Sequence, residues 1–238
     1  MPKVDYDKIY SNYTDEYIDW VKRGCLWKAK ILSGLIEGGA RGAILEIGTG
    51  RGDVLEALEN FQTKLGADVS DEALRQHREI YPSHRLVKID ADKPLPFKDD
   101  EVDFVLLCDI LEHVDNPEGL LREAGRVGKY LLLKIPVERA FFVGVANLIR
   151  GKKYGVTHPS GHLHCWNVGD IRLLLEKADV SIIRYQFVPT PLELVKKGLL
   201  IKTWGFKICL LLDRMFQTTF FNRTFLGGSY FAIAQRSL

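Results

Sequence analysis

A regular alternation of short apolar strands and amphipathic helices between residues 43 and 135 constrains the fold of this chain most. Strands that are buried on both faces read as continuous apolar runs, and residues 102–107 are the clearest example. Strands separated by helices favour a parallel sheet whose right-handed crossovers put helices on both faces. The predicted strands are 43–47, 65–69, 85–89, 102–107, 130–135, 180–188 and 229–236, and the predicted helices are 53–61, 70–81, 116–127 and 167–178.

The chain has 238 residues, of which 46% are apolar, and this suffices for one domain with a sizeable core. Its net charge of +2 does not indicate the concentrated basic face of a nucleic-acid-binding protein, so we expect no nucleic-acid partner. The four cysteines form no C-x-x-C pair, the N-terminus lacks the apolar stretch of a signal peptide, and no apolar segment is long enough to span a bilayer. We therefore expect a cytoplasmic protein.

The sharpest local signal is a glycine-rich turn, LEIGTGRGD, between the first predicted strand and the first helix. Gly48, Gly50 and Gly52 let the backbone bend tightly and approach a ligand without a Cβ in the way. The free N–H groups at the start of the helix favour an anionic group nearby. Nicotinamide and flavin enzymes favour G-x-G-x-x-G, whereas this turn reads G-x-G-x-G and has an acid, Glu46, two residues before it.

Acidic residues follow the second and third predicted strands. Asp68 lies about 20 residues after the first glycine, where a carboxylate can accept two hydrogen bonds from a ribose diol. Asp90 follows the third strand in the stretch IDADKPLPF, with Asp92 as the alternative acid. Because open α/β sheets bind ligands at the carboxyl ends of their strands, these acids are expected at the same edge as the glycine turn.

The order and spacing of E-x-G-x-G-x-G, Asp68, the IDADKPLPF stretch and the L-E-H turn in FVLLCDILEHV resemble class I S-adenosylmethionine-dependent methyltransferases. The resemblance covers residues 42–136. It implies an α/β fold: a Rossmann-like, doubly wound, seven-stranded sheet, mostly parallel with an antiparallel last strand, with helices on both faces. It also implies S-adenosyl-L-methionine as the cofactor and S-adenosyl-L-homocysteine as the product. The cofactor-binding residues that it implies are Glu46, Gly48, Thr49, Gly50, Gly52, Asp68, Val69, Asp90, Ala91 and Asp109.

Methyl transfer from an activated sulfonium requires an aligned acceptor and the exclusion of water, and a general base only where the acceptor keeps its proton at neutral pH. His113 in the L-E-H turn and His162 in HPSGHLHCW are the candidate bases, and each is alternatively a pocket or bracing residue. The catalytic residue is therefore left unassigned. The spacing H-x-x-x-H-x-H-C matches no strong ligand pattern, so no metal site is expected.

We expect one methyltransferase domain over residues 1–238. It comprises a helical N-terminal cap at 1–40, a cofactor-binding core at 42–188, a helical insert at 190–226 and the last strand at 229–236. Tyr10, Tyr13 and Tyr17 either cover the cofactor or pack within the cap. The apolar segment 199–221 packs on its own domain, covers an apolar acceptor, makes peripheral membrane contact or forms a homodimer.

These features favour a methyltransferase that acts on an unidentified small or lipid-like acceptor by in-line displacement. Two alternatives stay open, a nicotinamide-dependent oxidoreductase with a divergent glycine turn and a non-catalytic cofactor-binding scaffold. The acceptor does not follow from the fold, because the same fold supports many functions.

Overall fold

The computed structural model describes residues 4–36, 42–138, 162–189, 207–208, 211–215 and 227–237. The helices are α1 (Tyr6–Ser11), α2 (Asp15–Leu35), α3 (Asp53–Ala57), α4 (Asp71–Ile80), α5 (Pro117–Val127) and α6 (Val168–Lys177), with a 3-10 turn at Leu111–His113. The strands are β1 (Ala43–Ile47), β2 (Thr63–Asp68), β3 (Arg85–Lys88), β4 (Val102–Cys108), β5 (Gly128–Val137), β6 (Val180–Val188) and β7 (Gly228–Arg236).

The seven strands form one sheet in the order β3-β2-β1-β4-β5-β7-β6. Neighbouring strands from β3 to β5 are parallel, and β7 is antiparallel to both β5 and β6. This is the predicted Rossmann-like sheet with an antiparallel last strand, and the prediction is confirmed. The sequence order of the strands reverses between β1 and β4, and this reversal creates the crevice in which such sheets bind ligands.

Apolar side chains on the two faces of the sheet form two separate core clusters. Leu45 and Ile47 of β1 belong to one cluster and Ile44 to the other, because successive strand residues point to opposite faces. Helices α5 and α6 contribute to the first cluster and α2 and α3 to the second. The predicted arrangement of helices on both faces is thereby confirmed.

Side-chain caps begin three helices where the sequence predicts them. The Ser70 hydroxyl accepts a hydrogen bond from the Ala73 N–H at 3.0 Å and caps α4. Asn116 caps α5 with Pro117 in its first turn, and Asn167 with Asp170 forms a capping box at the start of α6. Each cap satisfies backbone donors that the first turn of a helix leaves unpaired, and so fixes the entry of the chain into that helix.

Two elements end at least two residues away from their predicted last residue. Strand β5 continues through Pro136 to Val137 and does not stop before it. Its neighbour β4 ends at Cys108, opposite Lys134, so no β4 residue lies beside Pro136. The N–H that proline lacks on that side therefore removes no hydrogen bond between the two strands. The helix predicted at 53–61 ends at Ala57, where the Lys64 ammonium group donates to the Glu56 carbonyl oxygen at 2.7 Å and replaces the next helical donor.

The N-terminal cap and the insert are described in part. The described part of the cap, residues 4–36, has two helices, and Thr14 caps the second of them with a hydrogen bond from the Tyr17 N–H at 3.2 Å. The predicted insert at 190–226 lies outside the described residues except for the helical positions 207–208 and 211–215, so its membrane and dimer roles stay predictions. Within the described ranges, no helix has the length and apolarity that crossing a membrane requires.

Candidate cofactor and acceptor site

The structure brings most of the predicted site residues to one edge of the sheet. The glycine turn follows β1, Asp68 is the last residue of β2, Asp90 follows β3 and Asp109 follows β4. These strands are parallel, so their carboxyl ends meet on both sides of the reversal in strand order.

The glycine turn adopts a backbone that side chains tolerate poorly. Gly48, Gly50 and Gly52 have φ angles of 74°, 53° and 81°, in the left-handed region that favours glycine. The sequence interpretation assigned the free space at these positions to a ligand, and the structure corrects it for Gly52, where an added Cβ would lie 2.2 Å from Nε2 of His77. Gly52 is therefore required for packing within the protein.

Asp68 connects the glycine turn to the start of α4. Its carboxylate is 7% exposed and accepts hydrogen bonds from the Gly50 N–H at 2.8 Å and the Ser70 N–H at 3.0 Å. Burial raises the pKa of Asp68, and the hydrogen bonds partly offset this effect. A carboxylate has about four lone-pair positions, so two backbone donors leave capacity for the two hydroxyl groups of a ribose.

Glu46 lies beneath the turn and is 2% exposed. The Thr49 hydroxyl donates to its Oε2 at 3.0 Å, and burial raises the pKa of Glu46 to about 8 against the lowering effects of Thr49 and Lys28. The hydrogen bond fixes Thr49 within the turn. Glu46 therefore holds the loop from below.

A histidine pair supports the same turn from the side of α4. Nε2 of His77 lies 2.8 Å from Nδ1 of His84, whose Nε2 lies 3.0 Å from the Glu56 carboxylate. His77 is fully buried, and this burial, reinforced by His84, lowers its pKa to about 4. Neither histidine was predicted as a site residue, because their contacts with the turn link positions that are distant in sequence.

The two acids after β3 have different roles. Oδ1 of Asp92 accepts the N–H groups of Asp115 at 2.8 Å and Asn116 at 3.3 Å, and so ties this loop to the start of α5. Asp90 forms an ion pair with the exposed Lys93 at 3.2 Å. Asp92 is thus engaged within the protein, and the choice of Asp90 as the ligand-facing acid stays a prediction.

Two apolar residues complete the predicted cofactor side. Val69 directly follows Asp68 and is 39% exposed, so it presents an apolar surface at the edge of the sheet. Ala91 directly follows Asp90 and packs against the core.

Asp109 forms a charge cluster at the end of β4. Its φ angle is 57°, one carboxylate oxygen pairs with the buried Lys134, and the other pairs with Lys28 of α2 at 2.9 Å. Burial opposes its ionisation, but the two lysine charges hold the pKa of Asp109 well below its usual range. Its predicted contact with the cofactor stays a prediction, and the geometry favours a role in positioning the β4 loop. The sequence analysis missed Lys28.

Helix α1 lies over the glycine turn. Asp7 accepts a hydrogen bond from the Ser70 hydroxyl at 2.6 Å and from the Glu72 N–H at 3.0 Å, which fastens α1 to α4. The Tyr10 hydroxyl lies 2.6 Å from the position of a Cβ added to Gly50. Of the two predictions for Tyr10, covering the cofactor turn is the one that this geometry supports.

Tyr13 and Tyr17 pack beside Tyr10 within the cap. The ring centroids of Tyr10 and Tyr13 are 5.2 Å apart, and those of Tyr13 and Tyr17 are 4.6 Å apart. For these two tyrosines, packing within the cap is the alternative that the contacts support.

The predicted acceptor side comprises the 3-10 turn after β4 and the described residues just before α6. The rings of His113 and His162 are in edge contact, with centroids 4.8 Å apart, and Nδ1 of His162 lies 2.8 Å from the Glu138 carboxylate. Glu112 is 1% exposed, and its pKa is raised well above the usual range by burial and by the charge of Asp109. Both predicted histidines therefore meet at this edge.

Of the other two histidines in the HPSGHLHCW stretch, the structure describes His164, which makes different contacts. Nε2 of His164 lies 2.9 Å from the Val114 carbonyl oxygen, and its ring stacks on Trp166 with centroids 5.4 Å apart. His164 is thus a bracing residue. His158 lies outside the described residues.

Comparison with known proteins agrees with this geometry. Residues 45–130 match the profile of the methyltransferase domain family. An uncharacterised protein of Methanocaldococcus jannaschii is 30% identical over 141 residues, which are 57% of this chain and 64% of the relative. The match thus spans less than two thirds of the length of that relative.

Solved structures with low sequence identity share the fold. One is a chain of the complex between the Haloferax volcanii Trm112 methyltransferase activator and a protein described as a methyltransferase, with a TM-score of 0.68, 16% identity and full coverage of both chains. Another is the magnesium protoporphyrin IX methyltransferase of Synechocystis PCC 6803 with bound SAH, with a TM-score of 0.59, 16% identity and coverage of 95% of this chain and 89% of that chain.

The order of the strands in the sheet is that of a Rossmann-like α/β protein. The glycine turn and the acidic residues at the carboxyl ends of the strands are typical of a cofactor-binding member of this class. Residues 45–130 match the methyltransferase domain family, and this match confirms the predicted resemblance to class I S-adenosylmethionine-dependent methyltransferases over that part of the chain. S-adenosylmethionine as the predicted cofactor agrees with this family.

Proposed function

We propose that this chain is a methyltransferase that transfers a methyl group from S-adenosylmethionine to a small or lipid-like acceptor. The observation that carries the proposal is the Asp68 carboxylate, which is locked to the glycine turn through Gly50 and still has lone pairs for a ligand diol. The cofactor supplies a methyl group already activated on a sulfonium. What this chain must supply is binding, alignment and the exclusion of water.

The residues at the sheet edge fit such a cofactor. Asp68 offers the acceptor for ribose hydroxyl groups, Val69 offers an exposed apolar surface for a flat ring, and Asp90 lies one strand further along for the polar edge of that ring. The turn that contains Gly50 is held in shape by Glu46 before any ligand binds. A preformed turn reduces the conformational entropy lost on binding.

Residues on the far side of the turn would receive the acceptor. His113 and His162 lie at the carboxyl ends of the strands next to the cofactor half, so an acceptor there would face the methyl group. The contact with Glu138 orients the His162 ring and makes it the better candidate for a base toward a hydroxyl or amine acceptor. Tyr10 and Tyr6 of α1 would limit the access of water to this space.

Calorimetric titration of the purified chain with S-adenosylmethionine, S-adenosylhomocysteine and NADH tests the proposal. We expect micromolar binding of the first two and none of NADH. Asp68→Asn should bind more weakly, and Asp71→Asn is the matched control, because Asp71 lies three residues further along and pairs only with the exposed Lys88 among the described residues.

Each other outcome of this titration contradicts the proposal in a different way. Binding of NADH alone would indicate an oxidoreductase. Binding of S-adenosylhomocysteine without methyl transfer to any acceptor, in a screen with labelled S-adenosylmethionine and hydrophobic acceptors first, would indicate a non-catalytic scaffold.

A further inference from the structure

Three side chains that the sequence separates form a compact group of metal-ligand types at the carboxyl ends of β4 and β5. One ligand atom from each of Glu112, His113 and His162 lies within 4.8 Å of the others. The first two come from the 3-10 turn after β4, and His162 comes from the segment before α6. Two imidazoles and one carboxylate are a ligand set that suits divalent transition metals.

The burial of the Glu112 carboxylate gives a second, independent reason to expect a cation at this group. Its side chain is 1% exposed, and neither oxygen has a hydrogen-bond partner among the described residues. A buried carboxyl without a partner is destabilising, and most buried polar groups in proteins are satisfied. A cation held between Glu112 and the two imidazoles would provide the missing partner.

The backbone fixes His162 beside this carboxylate. The carbonyl oxygen of Glu112 accepts hydrogen bonds from the N–H groups of Leu163 at 2.7 Å and His164 at 3.3 Å. These bonds hold the segment that carries His162 against the turn that carries Glu112 and His113. The ligand atoms are therefore brought together by main-chain contacts and not only by flexible side chains.

Glu138 supplies a second feature of metal sites. Its carboxylate lies 2.8 Å from Nδ1 of His162, and it favours the tautomer that carries the ring proton on Nδ1 and would bind a metal through Nε2. A carboxylate that orients a metal-binding histidine through its other ring nitrogen is a recurrent arrangement around bound metals.

The spacing of the ligand atoms is close to what one ion requires. Ligands bound at about 2.0–2.2 Å lie at most about 4.4 Å from one another, so a group within 4.8 Å closes by small side-chain rotations. We propose that Glu112, His113 and His162 bind one Zn²⁺ or Mn²⁺ ion, and that in the metal-bound protein the two histidines act as ligands and not as the base. Three protein ligands leave a coordination position open to water or to an oxygen atom of the acceptor.

Metal titration of tag-free, chelator-treated protein tests this site without relying on activity. Calorimetry with Zn²⁺ and Mn²⁺, and the visible spectrum of added Co²⁺, should report one ion per chain. Glu112→Gln and His162→Gln should each weaken binding by at least about tenfold, and Glu138→Gln by about 10–100-fold. His164→Gln is the matched control and should bind as the wild type does, since His164 contacts the Val114 carbonyl oxygen.

Titration of S-adenosylhomocysteine in the same samples separates this proposal from the proposed function. Cofactor binding without metal binding in the wild type would overturn the metal site alone. Equal metal affinity in the wild type and in His162→Gln would also overturn it, and this variant tests the site even if Glu112→Gln fails to fold.

Discussion

Asp68 is expected to have two separable roles, and Asp68→Asn measures both. The carboxylate accepts the Gly50 N–H at 2.8 Å and the Ser70 N–H at 3.0 Å in a position that is 7% exposed. An amide keeps one acceptor oxygen, so one of these buried donors loses its partner. We therefore expect the free energy of unfolding of the ligand-free protein to fall by about 1–3 kcal/mol.

The second role is the contact with the ribose. A hydrogen bond to a charged group contributes about 1.5–3 kcal/mol, so Asp68→Asn should weaken S-adenosylhomocysteine binding by about 10–100-fold. Part of this loss would come from the loosened glycine turn. An analogue that lacks the 2′ and 3′ hydroxyl groups separates the two contributions, because it lacks the ribose contact but still needs the turn.

The assay is calorimetry of both ligands on the wild type, Asp68→Asn and the control Asp71→Asn, with urea unfolding of each protein. The wild type and the control should prefer S-adenosylhomocysteine over the dideoxy analogue by about 10–100-fold, and Asp68→Asn should have lost most of this preference. An equal preference in all three proteins would refute the ribose contact and leave Asp68 with a purely structural role.

Three further predictions concern the residues that support the site. Gly52→Ala should lower the free energy of unfolding by about 1–3 kcal/mol in urea, because its Cβ would meet the His77 ring at a φ of 81°; unchanged stability would contradict this packing. His77 is buried in its neutral form with a pKa of about 4, so on acidification the unfolded state binds a proton before the folded state does. The free energy of unfolding should therefore fall as the pH drops from 6.5 toward 4. His77→Gln should reduce this pH dependence in urea unfolding at several pH values, and an unchanged pH dependence would indicate that other groups such as His84 cause it. Lys28→Met removes one of the two cations beside Asp109 and should lower the free energy of unfolding of the protein by about 1–2 kcal/mol at pH 7. Differential scanning calorimetry measures this change, and the same stability as the wild type would contradict the stabilising role of Lys28.

Local signals in the sequence were sufficient for the framework. Ser70, Asn116 and Asn167 begin helices where they were predicted to, because a cap acts within three residues of the chain. The parallel sheet with helices on both faces followed from the alternation of strands and helices and from crossover handedness, whereas the antiparallel last strand followed from the family resemblance. Strand ends were less predictable, as the continuation of β5 through Pro136 depends on where its neighbour β4 stops.

The parts of the site that the sequence analysis missed depend on contacts between distant residues. Nothing in the sequence around Lys28 indicates a site residue, and only the fold places its ammonium group 2.9 Å from the Asp109 carboxylate. Gly52 has the same sequence signature whether its free space serves a ligand or the ring of His77. The sequence predicted no metal site, because the spacing H-x-x-x-H-x-H-C matches no strong ligand pattern; Glu112 and His162 are 50 positions apart, and only the fold brings them together.

The buried carboxylates in the two halves of the site differ in whether they have hydrogen-bond partners. In the cofactor half, Asp68 and Glu46 have partners in the protein, and the turn keeps its shape without a ligand. In the acceptor half, Glu112 is buried without a hydrogen-bond partner among the described residues. Buried polar groups without partners are concentrated at functional sites, where a residue is retained because it binds a ligand even though it lowers the stability of the protein. A ligand of the acceptor half is therefore expected to contact the Glu112 carboxylate.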